Sequence, residues 1–284
     1  MPVITPEEIA ALVPRLKGKD GLVRAGLSLT GVDKVNALYD RCLPAEGADF
    51  AAALLRDVGV DYLVGGFANL AALADGPFIT ISNHPYGHMD GIITVDLVGH
   101  VRPGFKLMVN KVLGRIRAMA VNFIEVDPTG SERQAATQKS VGGVREALSN
   151  LQRGEPLGLF PSGAVSDLSI RDGFRIRDRQ WQEAALKIIR KAAVPVLPIR
   201  FFDRNSLLFY LLGLIDYRVR LVRLCHEMFN KKNRTVRVGI GPVIYPMEFS
   251  DMSPEELSGF LRDRVYGMPM PSELVRRSSL FAAP

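Results

Sequence analysis

The sequence predicts an α/β fold: a mixed, mostly parallel sheet flanked by helices, with a helical N-terminal subregion. Two observations carry this. From about residue 76, short β-rich runs (PFITIS, FKLMVN, VNFIEV, LGLF, VPVLPIRF and VRVGIGPVIY) alternate with stretches of helical periodicity, and strands that alternate with helices pair in parallel through crossover connections. Before that point helical patterns are separated only by short polar breaks. A chain of 284 residues suffices for one large domain or two small ones. The expected division is a helical subregion over residues 1–72 and an α/β domain over residues 73–284, joined as one continuous unit.

Taken in order, TPEEI at residues 5–9 offers a threonine N-cap with proline at the first helical position, and GVDKVNALYDRC repeats apolar residues at Val32, Val35, Leu38 and Tyr39. PFITIS is an apolar strand running into the turn-rich SNHPYGHMDG, after which GIITVDLVGH reads as a helix. Residues 131–153 form the clearest crossover helix: Ala136, Val141, Val144, Leu148 and Leu151 lie close to one face and Gly154 supplies the stop. A second crossover helix is expected from Asp178 to Ala192. SPEE at residues 253–256 combines a serine N-cap, proline at the first position and glutamate at the third, a capping box for a helix through about Tyr266. The final stretch, MPMPSELVRRSSLFAAP, is expected to be an arm or frayed tail.

Composition narrows the class. Lys and Arg number 36 against 30 Asp and Glu, a net charge of +6. That surplus favours anionic lipid, an acidic carrier protein or nucleic acid, but no nucleic-acid motif accompanies the charge and no nucleic acid is expected. Cys42 and Cys225 form no C-x-x-C pair, and no secretory signal opens the chain, which points to a reducing cytoplasm. No uncharged apolar stretch reaches the roughly 18 residues of a spanning helix. SLLFYLLGLI, residues 206–215, is followed by Arg218, Arg220 and Arg223. It suits either a core helix or an interfacial segment, where each cation adds roughly 1 kcal/mol at an anionic surface. The expected location is cytoplasmic and peripheral, on the inner face of the membrane.

SNHPYGHMDG places two histidines and an aspartate at a strand's C-terminal end, the edge at which open α/β sheets bind ligands. A histidine serves as general base when an acidic partner fixes its tautomer and orientation. His84 with Asp90 is the candidate pair; Pro85 and Gly87 shape the turn. The same residues also suit a plain turn in which Asn83 and Asp90 bond backbone amides and the histidines are solvated. LGLFPSGAVSD, residues 157–167, opens a second loop at the same edge if the strands are parallel. Its backbone N–H groups and the hydroxyls of Ser162 and Ser166 suit an anion or a developing oxyanion. A metal hydrolase built on His84, His88 and Asp90 would need His100 or His226, neither in a ligand-like motif, so no metal is expected. Cys225 and His226 would not face each other on a helix and form no nucleophile pair.

In order and spacing, NHPYGHMDG, VNFIEVDPTG, LGLFPSGAVSD and VPVLPIRFFD resemble the four blocks of the phospholipid/glycerol acyltransferase (lysophospholipid acyltransferase) superfamily. More narrowly they are similar to its hemolysin-like or ornithine-lipid-related bacterial branch, whose first block reads N-H-P-x-G-x-x-D-G. The resemblance covers roughly residues 30–250, including the apolar and basic segment before VRVGIGPVIY. It implies an acyltransferase domain over residues 73–284 that moves a fatty acyl group from acyl-CoA or acyl carrier protein, a co-substrate and not a resident cofactor. The acceptor would be a hydroxyl or amine of a lysolipid or lipid precursor, met at an anionic membrane surface. Carried over by motif position, His84 is the general base, Asp90 its orienting carboxylate, and no covalent acyl-enzyme is required. Substrate contact is expected from Asn83, Gly87, His88, Phe160, Pro161, Ser162, Gly163 and Ser166.

Three departures bear on spacing and acceptor. The superfamily's widespread form separates histidine and aspartate by four residues; here five intervene, as in the hemolysin-like branch. The common third block reads F-P-E-G-T-R-S, whereas this chain has Ser162, Ala164 and Val165 for the glutamate, threonine and arginine. The second block gives Glu125 and Val126 where an arginine often stands. The third-block arginine is associated with the acceptor's phosphate, so an amino-acid lipid, a hydroxy-acyl lipid or another uncharged head is at least as suitable as glycerol phosphate. Arg133 or Arg171 would supply a replacement cation unless solvated. The departures also suit a catalytically degenerate relative that binds lipid or membrane; retention of His84 and Asp90 argues against it.

Overall fold

The computed structural model describes residues 31–281 except 112, 127–137, 171–172 and 216. The N-cap expected at TPEEI, the start of the 131–153 helix with Ala136, and Arg133 and Arg171 lie outside the described residues.

The chain opens with α1 (Val32–Cys42) and α2 (Gly47–Val58), then β1 (Leu63–Gly65) and the short α3 (Phe67–Ala71). There follow β2 (Ile79–Ser82), α4 (His88–Val101), β3 (Lys106–Asn110), β4 (Phe123–Val126), α5 (Gln138–Gln152) and β5 (Leu157–Leu159). A hairpin of β6 (Asp167–Ser169) and β7 (Arg175–Arg177) leads to α6 (Glu183–Ala192) and β8 (Val196–Phe201). The last third holds α7 (Leu207–Ile215), α8 (Tyr217–Phe229), β9 (Arg237–Ile240), α9 (Pro254–Tyr266), β10 (Val275–Arg276) and α10 (Arg277–Leu280).

Among the described residues the main sheet has eight strands in the order β10-β1-β9-β8-β2-β5-β3-β4. The five from β8 to β4 run parallel, β9 runs against β8, β1 follows β9, and β10 runs against β1. The sheet is therefore mixed and mostly parallel, as the alternation of apolar runs and helices predicts. Parallel strands are covered on both faces, and β2 shows it: all four of its residues are buried. Phe78, just before β2, joins the core formed with α1, α2 and α4, whereas Ile79 and Ile81 join the core of α5, α6 and α9. The Ser253 capping box forms as expected, with Ser253 Oγ accepting from Glu256 N at 3.2 Å and Glu256 Oε2 accepting from Ser253 N at 2.8 Å. No described helix is long and apolar enough to cross a membrane.

Three elements differ from expectation. β1 lies within the segment read as helical; its three residues are too few to display a period. The α6 helix begins at Glu183 and not at Asp178, which is used elsewhere. The expected C-terminal arm is instead tied down. Val275 and Arg276 pair with Val64 and Leu63 of β1, and Arg277 places Nε and Nη2 at 2.9 and 2.7 Å from the carboxylate of Asp96, buried inside α4. Tyr62 Oη adds a bond of 2.7 Å to the same carboxylate. Replacing Arg277 by alanine leaves Asp96 with Tyr62 and His100 alone, and is expected to lower stability by about 1.5–3 kcal/mol. Urea unfolding of the variant and the wild type measures it, and an unchanged midpoint would refute the anchoring role.

Candidate active site

β2 ends in the middle of the sheet, so the chain leaving it emerges at the C-terminal edge between β8 and β5. Asn83 extends the pairing by one rung with its side chain: Oδ1 accepts from Phe201 N at 2.8 Å and Nδ2 donates to Phe201 O at 2.9 Å. With both amide groups engaged in this way, Asn83 fastens the loop. His84 follows. Its backbone N–H donates to Asp178 Oδ1 at 3.1 Å and its carbonyl accepts from Ser166 N at 2.9 Å, so the residue is gripped from the third-block side. Tyr210 Oη donates to Pro85 O at 2.7 Å, and Asn205 Nδ2 to Tyr86 O at 3.1 Å.

Asp90 sits in the first turn of α4 and is fully buried. Its Oδ2 accepts from the backbone N–H groups of Tyr86 and Gly87 at 2.8 and 2.9 Å, curling the loop back onto the helix start. His84 Nδ1 stands 2.9 Å from the same oxygen, without the alignment of a full hydrogen bond, while Oδ1 has no partner. Such contacts tighten on substrate binding. Burial raises the pKa of Asp90, against the lowering effect of His84 and the two amides. Gly87 makes the turn possible. Its φ is +83°, and a Cβ there would meet Val165 at 3.0 Å and Leu224 at 3.2 Å.

The parallel pairing of β2 with β5 brings the third block alongside. Phe160 stacks on the His84 ring with centroids 4.0 Å apart and planes inclined by 28°. Beyond it the loop is held by its own bonds. Pro161 O accepts from Gln182 N at 2.8 Å, Ser162 Oγ donates to Ala164 O at 2.8 Å, and Ser166 Oγ donates to Asp178 Oδ1 at 2.6 Å. Gly163, at φ +63°, packs where a Cβ would strike the Gln182 side chain at 2.3 Å. The hydroxyl hydrogens of Ser162 and Ser166 are thus directed into the protein. Both residues are buried.

His88 opens α4 and turns toward the backbone of Leu224 in α8; burial pushes its pKa down to about 4. His100 stands near the far end of α4 against Asp96 and Asp49, and among the described residues no three His, Cys, Asp or Glu side chains gather as metal ligands. Burial pushes the Cys225 thiol up to about 11, leaving it protonated at neutral pH.

Two residues essential to this geometry escaped sequence reasoning. Asp178, read as a helix start, is buried beneath the loop and joins His84 to Ser166. Asp178→Ala would strand both donors and is expected to cost about 2–3 kcal/mol in chemical denaturation, with Asp178→Asn restoring part because an amide oxygen still accepts. Equal loss in both variants would contradict this role. Arg220, read as part of a basic flank suited to an anionic surface, is 1 % exposed. It donates to the carbonyls of Ser166 and Val165, pairs with Asp167 and lies between the rings of Phe209 and Tyr217, at 5.2 and 5.5 Å. Arg223 likewise turns to Glu227 at 3.3 Å. No sequence signal distinguishes these arginines from surface ones.

The sequence was compared with known proteins. The model of a family described as acyltransferase matches residues 32–272. A lyso-glycine lipid O-acyltransferase of Bacteroides thetaiotaomicron is 27 % identical over 243 residues, covering 82 % of this chain and 85 % of that protein. A lyso-glycine lipid O-acyltransferase of Phocaeicola vulgatus is 24 % identical over 242 residues, covering 82 % of each. Among solved structures, the 1-acyl-sn-glycerophosphate acyltransferase PlsC of Thermotoga maritima superposes with a TM-score of 0.47 at 20 % identity, covering 80 % of this chain and 83 % of that one.

Proposed function

Because the chain belongs to the acyltransferase family matched over residues 32–272, we propose that it carries a fatty acyl group from a thioester, acyl-CoA or acyl carrier protein, to the hydroxyl of a lysolipid. His84 is the general base and Asp90 its orienting carboxylate. The observation that carries the reading is the 2.9 Å approach of His84 Nδ1 to buried Asp90, with the ring stacked on Phe160 at the sheet's C-terminal edge. With Nδ1 turned to the carboxylate, Nε2 is left to take the hydroxyl proton as the acceptor oxygen attacks the thioester carbonyl. Asp90 stabilises the imidazolium that forms. Collapse of the tetrahedral intermediate expels the thiolate, which the imidazolium then protonates, so no covalent acyl-enzyme intervenes.

The proposed acceptor is a lysolipid with an amino-acid head, the kind named in both curated relatives. Val165 stands where a phosphate-binding arginine is common, and Arg220 beneath the loop is engaged by Val165, Ser166 and Asp167. The test follows thiol release and product mass with acyl-CoA or acyl carrier protein as donor, against lyso-glycine lipid and lysophosphatidate. Preferential acylation of lyso-glycine lipid is expected. Turnover of lysophosphatidate alone would overturn the acceptor, and lipid binding without thiol release from either donor would favour a catalytically degenerate binder.

A further inference from the structure

α7 is apolar on every side. Its inner face is filled: Phe209 and Tyr210 pack with Val165 and Leu168, and Ile176 of β7 and Leu224 of α8 close over them. Its outer face is bare. Leu207, Leu208, Leu211, Leu214 and Ile215 recur at helical spacing and range from 43 % exposed at Leu211 to 81 % at Ile215, with Tyr217 exposed just beyond. The β6–β7 hairpin that packs against α7 adds exposed Ile170 and Phe174. Phe174 has φ +57°, a conformation that a bulky residue adopts only at a cost. Large apolar side chains exposed together in this way mark a docking site.

The surrounding charge selects what docks. Arg175 and Arg177 on the hairpin and Arg204 just before α7 are exposed. A second copy meeting this face through a twofold axis would set like charges against each other. Residues 1–30 carry four basic and three acidic side chains and offer no complementary charge. An anionic lipid surface complements both the leucines and the arginines. The face is also close to the chemistry: Tyr210, on the inner side of α7, bonds Pro85, the residue after His84.

We propose that the outer stripe of α7, with Phe174 of the adjoining hairpin, is the surface on which the protein seats itself on an anionic bilayer, α7 lying in the plane of the interface. The role as a delivery surface for a lysolipid rests on the function proposed above; the docking itself does not. At about 13 Å, α7 is too short to enter except flat.

The test uses the full chain. Trp181 is its single tryptophan and is buried, so a tryptophan introduced by Leu214→Trp reports on the stripe. Its emission is expected to be that of an exposed ring in buffer, and to shift blue and be quenched by brominated lipid when phosphatidylglycerol vesicles are added, weakly with pure phosphatidylcholine and less at high salt. Leu208→Glu with Leu211→Glu should lower vesicle partition about tenfold or more, without altering turnover of detergent-dispersed lysolipid. Blue emission in buffer alone would overturn the proposal, since residues 1–30 or a second copy would already cover the stripe. Unquenched emission with anionic vesicles would also overturn it. Partition and quenching require no turnover, so they stand or fall apart from the enzymatic reading; if the double variant fails to fold, the quenching experiment decides.

Discussion

Replacing His84 by alanine is expected to lower kcat by about 10²–10⁴-fold while the protein stays folded. The backbone of residue 84 is held independently of its ring, by Asp178 Oδ1 on the N–H and Ser166 N on the carbonyl. Asp90 keeps the amides of Tyr86 and Gly87. What the fold loses is the stacking on Phe160, worth about 0.5–1.5 kcal/mol. In the proposed mechanism the reaction loses its base. Because a base acts on the transition state more than on the bound substrate, the deficit should fall on kcat with KM little changed. Thiol release under saturating acceptor measures it, and turnover like that of the wild type would remove His84 from the mechanism. His88→Ala should be far milder, since a ring pushed down to about 4 and turned toward α8 is a weak base away from the Asp90 carboxylate.

What the sequence revealed and what it concealed divide by range. β2, β3, β4, β5, β8 and β9 were all expected, because each is a buried or half-buried run bounded by turn formers and its signal lies within a few residues. The pairing of His84 with Asp90 was legible for the same reason: five residues intervene, and a single turn spans them. β1, the β6–β7 hairpin and β10 are two or three residues long and take their structure from partners. Arg277 finds Asp96 across 181 positions, which no local pattern encodes. Asp178 lies just before an apolar periodicity that made it look like the start of a helix, and Arg220 sits in a basic run that looked interfacial. Both are instead buried under the loop that holds His84. Local sequence thus disclosed the approach of His84 to Asp90, whereas long-range contacts set the residues that hold the two in place.

Asp90→Asn is expected to reduce kcat by about 10²–10⁴-fold while preserving or raising stability at neutral pH. The amide is nearly isosteric. Its oxygen can replace Oδ2 as acceptor for Tyr86 and Gly87, and its nitrogen occupies the position of Oδ1, which has no partner. Burial raises the pKa of Asp90 from its ordinary 3.8, so folding disfavours the ionised form. The stability linked to this group is fully present below pH 3.8 and is lost as pH rises through the raised folded value. Above that value the neutral asparagine avoids the cost of burying a charge, and below it the advantage disappears. Activity runs the other way. The ionised carboxylate is the form that stabilises the His84 imidazolium, so the asparagine variant lacks that stabilisation at every pH. Asp90→Ala provides the contrast, because it strands two amide donors at about 1–3 kcal/mol each and should lose stability as well as turnover. Urea unfolding at several pH values, together with a pH–rate profile, separates the two functions of the carboxylate. Full activity in the asparagine variant would sink its role as orienter, and an unfolded asparagine variant would show that the charge itself holds the loop.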